Sequence, residues 1–328
     1  MENINREALK SQSTAETKRR PFAIEDSASA KRVHKLMGAA DLQDRMARIR
    51  SKNFAGRSPS VIVRYLQTQL IYAPFETTFT RPYTIDRFPV YRARANIDER
   101  SENVYLARTF SYPNPSFCTS NGRANLSRFP IFYCSDVAGT AVAELRPRVG
   151  DVVFLSEWII RCHRQNEHAS IFPPTLDFPN PWISIAANQR KGRVVFYEEH
   201  FGKEVTTKVD QIFSFLGELF VSEGPPYSIT SALAFYLIYG RLIDYLVYPS
   251  FVTRANTCNL AFHPNFVDEF FRIDRVFRLC IDKPLEDGAI VHVTDVAEYR
   301  NNVLAWRSPY SDEDLPSMEI PSKDIQSI

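Results

Sequence analysis

The stretch GRANLSRFPIFYCSDVAGTAVAE, residues 122–144, decides how the chain is read. It opens in a turn-rich loop, Asn121-Gly-Arg-Ala-Asn125, where backbone and side chain can approach a ligand together. Ile131 to Ser135 is a short apolar strand with Tyr133 at its middle. Asp136 is placed to cap a helix through Val137–Glu144, and Pro147 lies just beyond its end. Loop, strand and helix thus follow one another within 23 residues. A lone acid, Glu144, closes an otherwise apolar run.

Upstream, Phe88-Pro-Val-Tyr-Arg-Ala-Arg94 alternates apolar and polar residues, the period-2 signal of a strand that carries Arg92. Val61–Leu70 reads as a helix, and residues 111–129 as a long loop. Downstream, Val152–Ile160 reads as a strand, and residues 162–206 as an irregular insertion or lid. Helices are predicted over Lys208–Val221 and Ile229–Tyr239. Strands are predicted over Asp244–Tyr248, which exits into Pro249-Ser250, over Asn259–Phe262 and over Val276–Ile281. Strands and helices do not alternate strictly, so the pattern points to an α+β fold, not a doubly wound parallel sheet.

Residues 1–60 differ from the rest. Twelve Lys and Arg between Lys10 and Arg57 crowd a segment with almost no aromatics. Its first ~30 residues bury too little apolar surface to fold alone and read as a flexible tail. A short amphipathic helix is expected at 39–49 on Leu42, Met46 and Ile49. A basic arm for nucleic acid is the sharper reading. It is disfavoured, because no aromatics interleave the basic residues.

The whole chain of 328 residues carries a net charge of only +2, which argues against a nucleic-acid coat. Aromatics reach 13%, enough for a dense core and for stacking a flat ligand. Five cysteines without a Cys-x-x-Cys speak against a disulfide framework or a cysteine zinc site. His163 and His168 lack ligand spacing, so no metal is expected. The first residues show no apolar signal segment, and no stretch is long enough to span a bilayer. A cytoplasmic protein is expected.

Gly-x-Gly-x-x-Gly, Walker and Gly-x-Ser-x-Gly motifs are missing. What remains is Arg92, Arg123, Tyr133, Glu144 and Ser250, each with a bland alternative. A strand arginine can pair with a surface acid, a strand tyrosine can be core, and a serine after proline can be only a turn.

Together these segments are ordered as in a known family. Phe88–Arg94, Gly122–Asn125, Pro130–Asp136, Thr140–Glu144, Ile243–Ser250 and Asn259–Phe262 resemble the RES domain family over roughly residues 85–265. The resemblance implies an ADP-ribosyltransferase-like α+β fold with mixed, mostly antiparallel sheets and flanking helices. It implies a RES domain at 61–300 with an insertion near 162–206, after a basic extension at 1–60 and before a C-terminal tail at 301–328. It also implies cleavage of the nicotinamide–ribose bond of NAD+, by hydrolysis or phosphorolysis, as the toxin of a toxin–antitoxin pair. NAD+ is then substrate, no helper cofactor is needed, and an antitoxin protein or a second copy of the chain is a partner. By the family's motif, Glu144, Tyr133 and Arg92 are catalytic. Arg92, Arg123, Tyr133, Ser250 and Asn259 bind NAD+, with the two arginines as a pyrophosphate clamp. The rival readings are a protein-modifying ADP-ribosyltransferase, a non-catalytic NAD-binding module and a nucleic-acid binder acting through residues 1–60.

Overall fold

Nine strands form one sheet in the order β4-β5-β6-β2-β1-β3-β7-β8-β9. A computed structural model describes residues 41–70, 85–164, 166–171, 181–240, 242–253, 257–285 and 289–309, with positions 35, 38 and 318. The strands are β1 Ile85–Ala95, β2 Phe132–Ser135, β3 Val152–Cys162, β4 His168–Ser170, β5 Tyr245–Pro249, β6 Cys258–Phe262, β7 Phe271–Pro284, β8 Ala289–Arg300 and β9 Val303–Arg307. The helices are α1 Leu42–Ser51, α2 Pro59–Gln69, α3 Ala138–Ala143, α4 Pro181–Ser222, α5 Ser228–Ile238 and α6 Pro264–Phe270. Only β4 and β5 run parallel; the other neighbours are antiparallel. The fold is α+β, as the element pattern predicts.

The sheet is nearly split at its centre. β1 and β3 share a long ladder, from Phe88↔Ile160 to Ala95↔Val153. β1 and β2 share one registered pair, Tyr91↔Ser135. Beyond that pair the strands part, leaving backbone groups that need other partners.

Strand alternation sorts the core into two sides. On one face, α1, α2, α4 and α5 cover the β5-β6-β2 half through Leu66, Leu216, Phe220, Leu233, Leu246 and Ala261. On the same face α3 covers the other half, packing Ala138, Ala141 and Val142 on Val153, Leu155, Phe277 and Leu279. Every residue of α3, Ala-Gly-Thr-Ala-Val-Ala, is buried. Small side chains let this backbone lie close to the strands. The opposite face is aromatic: Phe132 meets Phe271 and Trp158 edge-on, with centroids 5.1 and 5.4 Å apart. Such pairs add ~0.5–1.5 kcal/mol each beyond their burial.

Several expectations change. The helix expected at 39–49 is present as α1, with Leu42, Met46 and Ile49 buried. Packed structure therefore begins inside the basic stretch; the first ~30 residues, read as a flexible tail, lie outside the described residues. Much of the irregular segment expected at 162–206 is helix. Residues 181–201 belong to α4, which breaks at Gly202, where φ is 80° and ψ 169°. That left-handed φ suits glycine. Residues 172–180 lie outside the described residues. Asp136 is not the α3 cap. Val137 holds the N-cap position, and Asp136 Oδ1 accepts the Cys258 N–H at 3.1 Å. Residues 303–307, expected in a tail, form edge strand β9 on β8. No described helix is long and apolar enough to cross a membrane.

Candidate active site

Glu144 follows α3 directly, at its C-cap, and is exposed. Its Oε1 accepts two hydrogen bonds, from Ser250 Oγ at 2.7 Å and from Asn259 Nδ2 at 2.6 Å. Both donors are buried. Asn259 lies on β6, registered with Ser135 of β2 on one side and Tyr248 of β5 on the other. Ser250 leaves the end of β5, and its N–H bonds the Thr257 carbonyl at 2.9 Å.

Three buried hydroxyls lock these pieces. Thr257 Oγ1 lies 2.8 Å from Thr140 Oγ1 on α3 and 2.8 Å from Thr253 Oγ1. The helix that presents Glu144 is thereby fastened to the β5–β6 turn that presents Ser250. Thr140 stands one helical turn before Glu144, so a single element supplies both the lock and the acid.

The charge of the Glu144 carboxylate is not cancelled by a protein cation: no ion pair reaches it among the described residues. Its Oε2 likewise has no protein partner among them. Neutral donors orient a carboxylate and leave its field available to a ligand.

Tyr133 and Arg123 form a second group on the same sheet face. Tyr133 Oη accepts the Ala124 N–H at 2.6 Å and donates to Asn125 Oδ1 at 3.0 Å. Burial pushes the Tyr133 phenol up, so it remains a neutral hydrogen-bonding group. Gly122 is needed where this loop closes. A Cβ there would stand 2.3 Å from Asn125 Oδ1 and 3.1 Å from Tyr133 Oη. The pinned loop presents Arg123, whose Nη1 donates to the Phe220 carbonyl and whose guanidinium lies 5.0 Å from the Tyr227 ring centroid. Tyr227 has a left-handed φ of 52°, rare for an aromatic residue. Glu223 accepts the N–H groups of Ile229 and Thr230, at 2.8 Å each, and so caps α5 beside it. Tyr248 connects the two groups. Burial raises its phenol, and Tyr133 and Glu144 push in the same direction.

Arg92 is placed differently. Alternation puts it on the side of Val90, within the aromatic core, not on the side of Tyr91. Its Nη1 donates to the Tyr133 carbonyl at 2.9 Å, and its Nε to the Ser111 carbonyl at 3.2 Å. The guanidinium lies 5.6 Å from the Phe132 ring centroid. Burial, then the neighbouring Arg94, lowers its pKa to about 10, so it stays cationic at neutral pH. Arg92 therefore spans the gap where β1 and β2 part. Arg92 and Arg123 make their hydrogen bonds to different carbonyls, Ser111 and Tyr133 for the one and Phe220 for the other, and the charges of both reach the Tyr133 phenol.

The geometry thus joins Glu144, Ser250 and Asn259 by direct bonds, gathers Tyr133 and Arg123 beside them, and leaves Arg92 as a brace. Residues that escaped the sequence reading are Thr140, Thr253 and Thr257, Asn125, Tyr227 and Tyr248. Tyr248 carried a usable signal, because it precedes Ser250 by two and strand period places both on one face. A groove of about 570 Å³ between α1 and α4 contains none of these residues. Its shape carries no weight against the bonded cluster. His168 is buried, stacked on Tyr245, and its pKa is lowered to about 4 by burial.

The RES domain model matches residues 89–282. The chain belongs to the RES domain family. The match runs from β1 through most of β7 and takes in Arg92, Arg123, Tyr133, Glu144, Ser250 and Asn259. A search of curated proteins found no match. RES proteins are associated with NAD and with toxin–antitoxin systems.

Proposed function

We propose that this RES protein cleaves the nicotinamide–ribose bond of NAD+, and that Glu144 is the residue on which cleavage depends. One observation carries the reading: an exposed carboxylate gripped at Oε1 by two buried neutral donors, with Oε2 unpartnered among the described residues. Nicotinamide leaves NAD+ as a neutral ring, so no acid has to protonate it. The barrier lies in the cationic, oxocarbenium-like ribosyl centre. A carboxylate about 4 Å from such a charge is worth ~4 kcal/mol at the effective dielectric of a protein surface. Ser250 and Asn259 hold the carboxylate still, so none of that energy is spent on orienting it.

Arg123 suits the pyrophosphate, through the guanidinium edges that Phe220 does not engage. Tyr133 fixes the loop that carries Arg123. Arg92 supports both from behind, by holding the Tyr133 backbone. In this reading the protein depletes NAD in a cytoplasm as a toxin, with an antitoxin protein as its partner.

Incubation of the purified protein with NAD+, with and without phosphate, tests the proposal. Free nicotinamide with ADP-ribose marks hydrolysis. Nicotinamide with ADP-ribose-1″-phosphate, formed only when phosphate is present, marks phosphorolysis. ADP-ribose attached to protein marks a transferase. NAD+ that stays intact with folded protein refutes cleavage.

A further inference from the structure

The β7–β8 hairpin carries a second constellation, away from Glu144. Cys280 on β7 is registered directly opposite His292 on β8. Cys280 and Asp282 alternate with Leu279 and Ile281, whose side chains are buried against α3, so both face the other side of the sheet. The ladder slips at this point: Ile281 pairs with Val291 and Lys283 with Ile290, which leaves Asp282 as an extra, bulged residue. Bulges re-aim side chains. Here the result is that Asp282 Oδ1 meets His292 Nδ1 at 2.7 Å. One ligating atom from each of Cys280, Asp282 and His292 lies within 4.8 Å of the other two.

We propose that Cys280, Asp282 and His292 form a binding site for a zinc-type divalent ion. Zn2+ takes thiolate sulfur at ~2.3 Å and imidazole nitrogen or carboxylate oxygen at ~2.0–2.2 Å in tetrahedral array. In that array the ligand atoms lie ~3.3–3.5 Å from one another, so the sulfur draws in from within 4.8 Å while the 2.7 Å contact of Asp282 with His292 opens slightly to admit the ion. Asp282 and His292 are exposed, with side chains about half accessible, and have room to move. One soft, one borderline and one hard donor exclude the all-oxygen preference of Mg2+ and Ca2+. Three protein ligands leave the fourth position to water. On binding, the Cys280 thiol gives its proton to solvent. The imidazole stays neutral, with its proton on the nitrogen that does not hold the metal. The ion would tie β7 to β8. His292 lies beyond the matched residues 89–282, so the site belongs to this chain and not to the shared RES pattern.

The other four cysteines are buried, which makes cobalt a clean probe. Stoichiometric Co2+ added to the reduced full chain is expected to give a thiolate-to-cobalt charge-transfer band and tetrahedral visible bands. Zn2+ should abolish both and raise the thermal midpoint. Cys280→Ser should remove the charge-transfer band. His292→Ala and Asp282→Asn should each weaken binding by at least roughly tenfold. All three variants should show the midpoint of the metal-free wild type. A wild type without the thiolate band overturns the proposal, as does a band unchanged in Cys280→Ser. If Cys280→Ser does not fold, unchanged cobalt affinity in His292→Ala overturns it equally.

Discussion

Glu144, at the C-cap of α3, and Glu157, on β3, lie over the same face of the sheet, and one row of registered residues, Asn259, Ser135, Tyr91 and Glu157, runs across the strands between them. Their surroundings are opposite. Glu157 is 7% exposed, and its Oε2 takes Arg275 Nε at 3.0 Å and Nη2 at 2.8 Å. Tyr91 beside it is pushed up to about 12, mainly by burial and next by the Glu157 charge. Glu144 is exposed, has two neutral donors and no cation among the described residues. A carboxylate already neutralised by arginine has little field left for a developing positive charge. A carboxylate held by an amide and a hydroxyl keeps its field and its position. The same residue type on the same face is thus a fastening in one place and a reactive group in the other.

The largest expected effect breaks that contrast at its active end. Glu144→Gln keeps shape and hydrogen-bonding capacity but removes the charge, and NAD+ turnover should fall by ~10²–10³ with an unchanged thermal midpoint. Removing the grip should cost less. Ser250→Ala and Asn259→Ala each delete one bond to a charged group, worth ~1.5–3 kcal/mol, so turnover should drop by roughly 10–100-fold. Steady-state kinetics on the two variants measures this, and near-normal rates in both would mean that Glu144 needs no fixed orientation.

The arginines sharpen the comparison further. Arg123→Lys keeps the charge but loses the planar fork, and should raise the NAD+ concentration for half-maximal rate more than it lowers the maximal rate. Arg92→Ala should lower stability, because the Ser111 and Tyr133 carbonyls lose their donor at ~1–3 kcal/mol per unsatisfied group. A lowered denaturation midpoint checks it. The smallest effect on turnover is expected from Glu157→Gln. Its cost falls on stability, at ~1–3 kcal/mol, since Arg275 is partly exposed and the pair partly screened.

The run from Gly122 to Glu144 was legible in the sequence because its loop, strand and helix are local, and each obeys its own rule. The α+β class followed from the same patterns. The bonds from Glu144 to Ser250 and Asn259 were not legible as geometry. They join residues more than a hundred positions apart, and only the sheet order β5-β6-β2 brings them together. Asp136 was misread because an acid before a helix suits a cap, yet here the neighbouring strand's Cys258 N–H competes for it. The surroundings of Arg92 were hidden for a related reason. Strand period says that Arg92 and Tyr91 face opposite sides, but not which side holds the site. The first half of α4 was hidden by the prolines before it and by Gly202 within it. The Cys280–His292 pair was invisible to spacing rules, because a hairpin and a bulge, not a helical turn, bring it together.

The most direct test of the central claim measures two quantities on three proteins: nicotinamide release from NAD+ and thermal midpoint, for the wild type, Glu144→Gln and Glu157→Gln. The account predicts that Glu144→Gln loses release by ~10²–10³ at full stability, whereas Glu157→Gln melts several degrees lower and releases nicotinamide at close to the wild-type rate. Nicotinamide release by Glu144→Gln at the wild-type rate, or loss of release in Glu157→Gln while it remains folded, would contradict it.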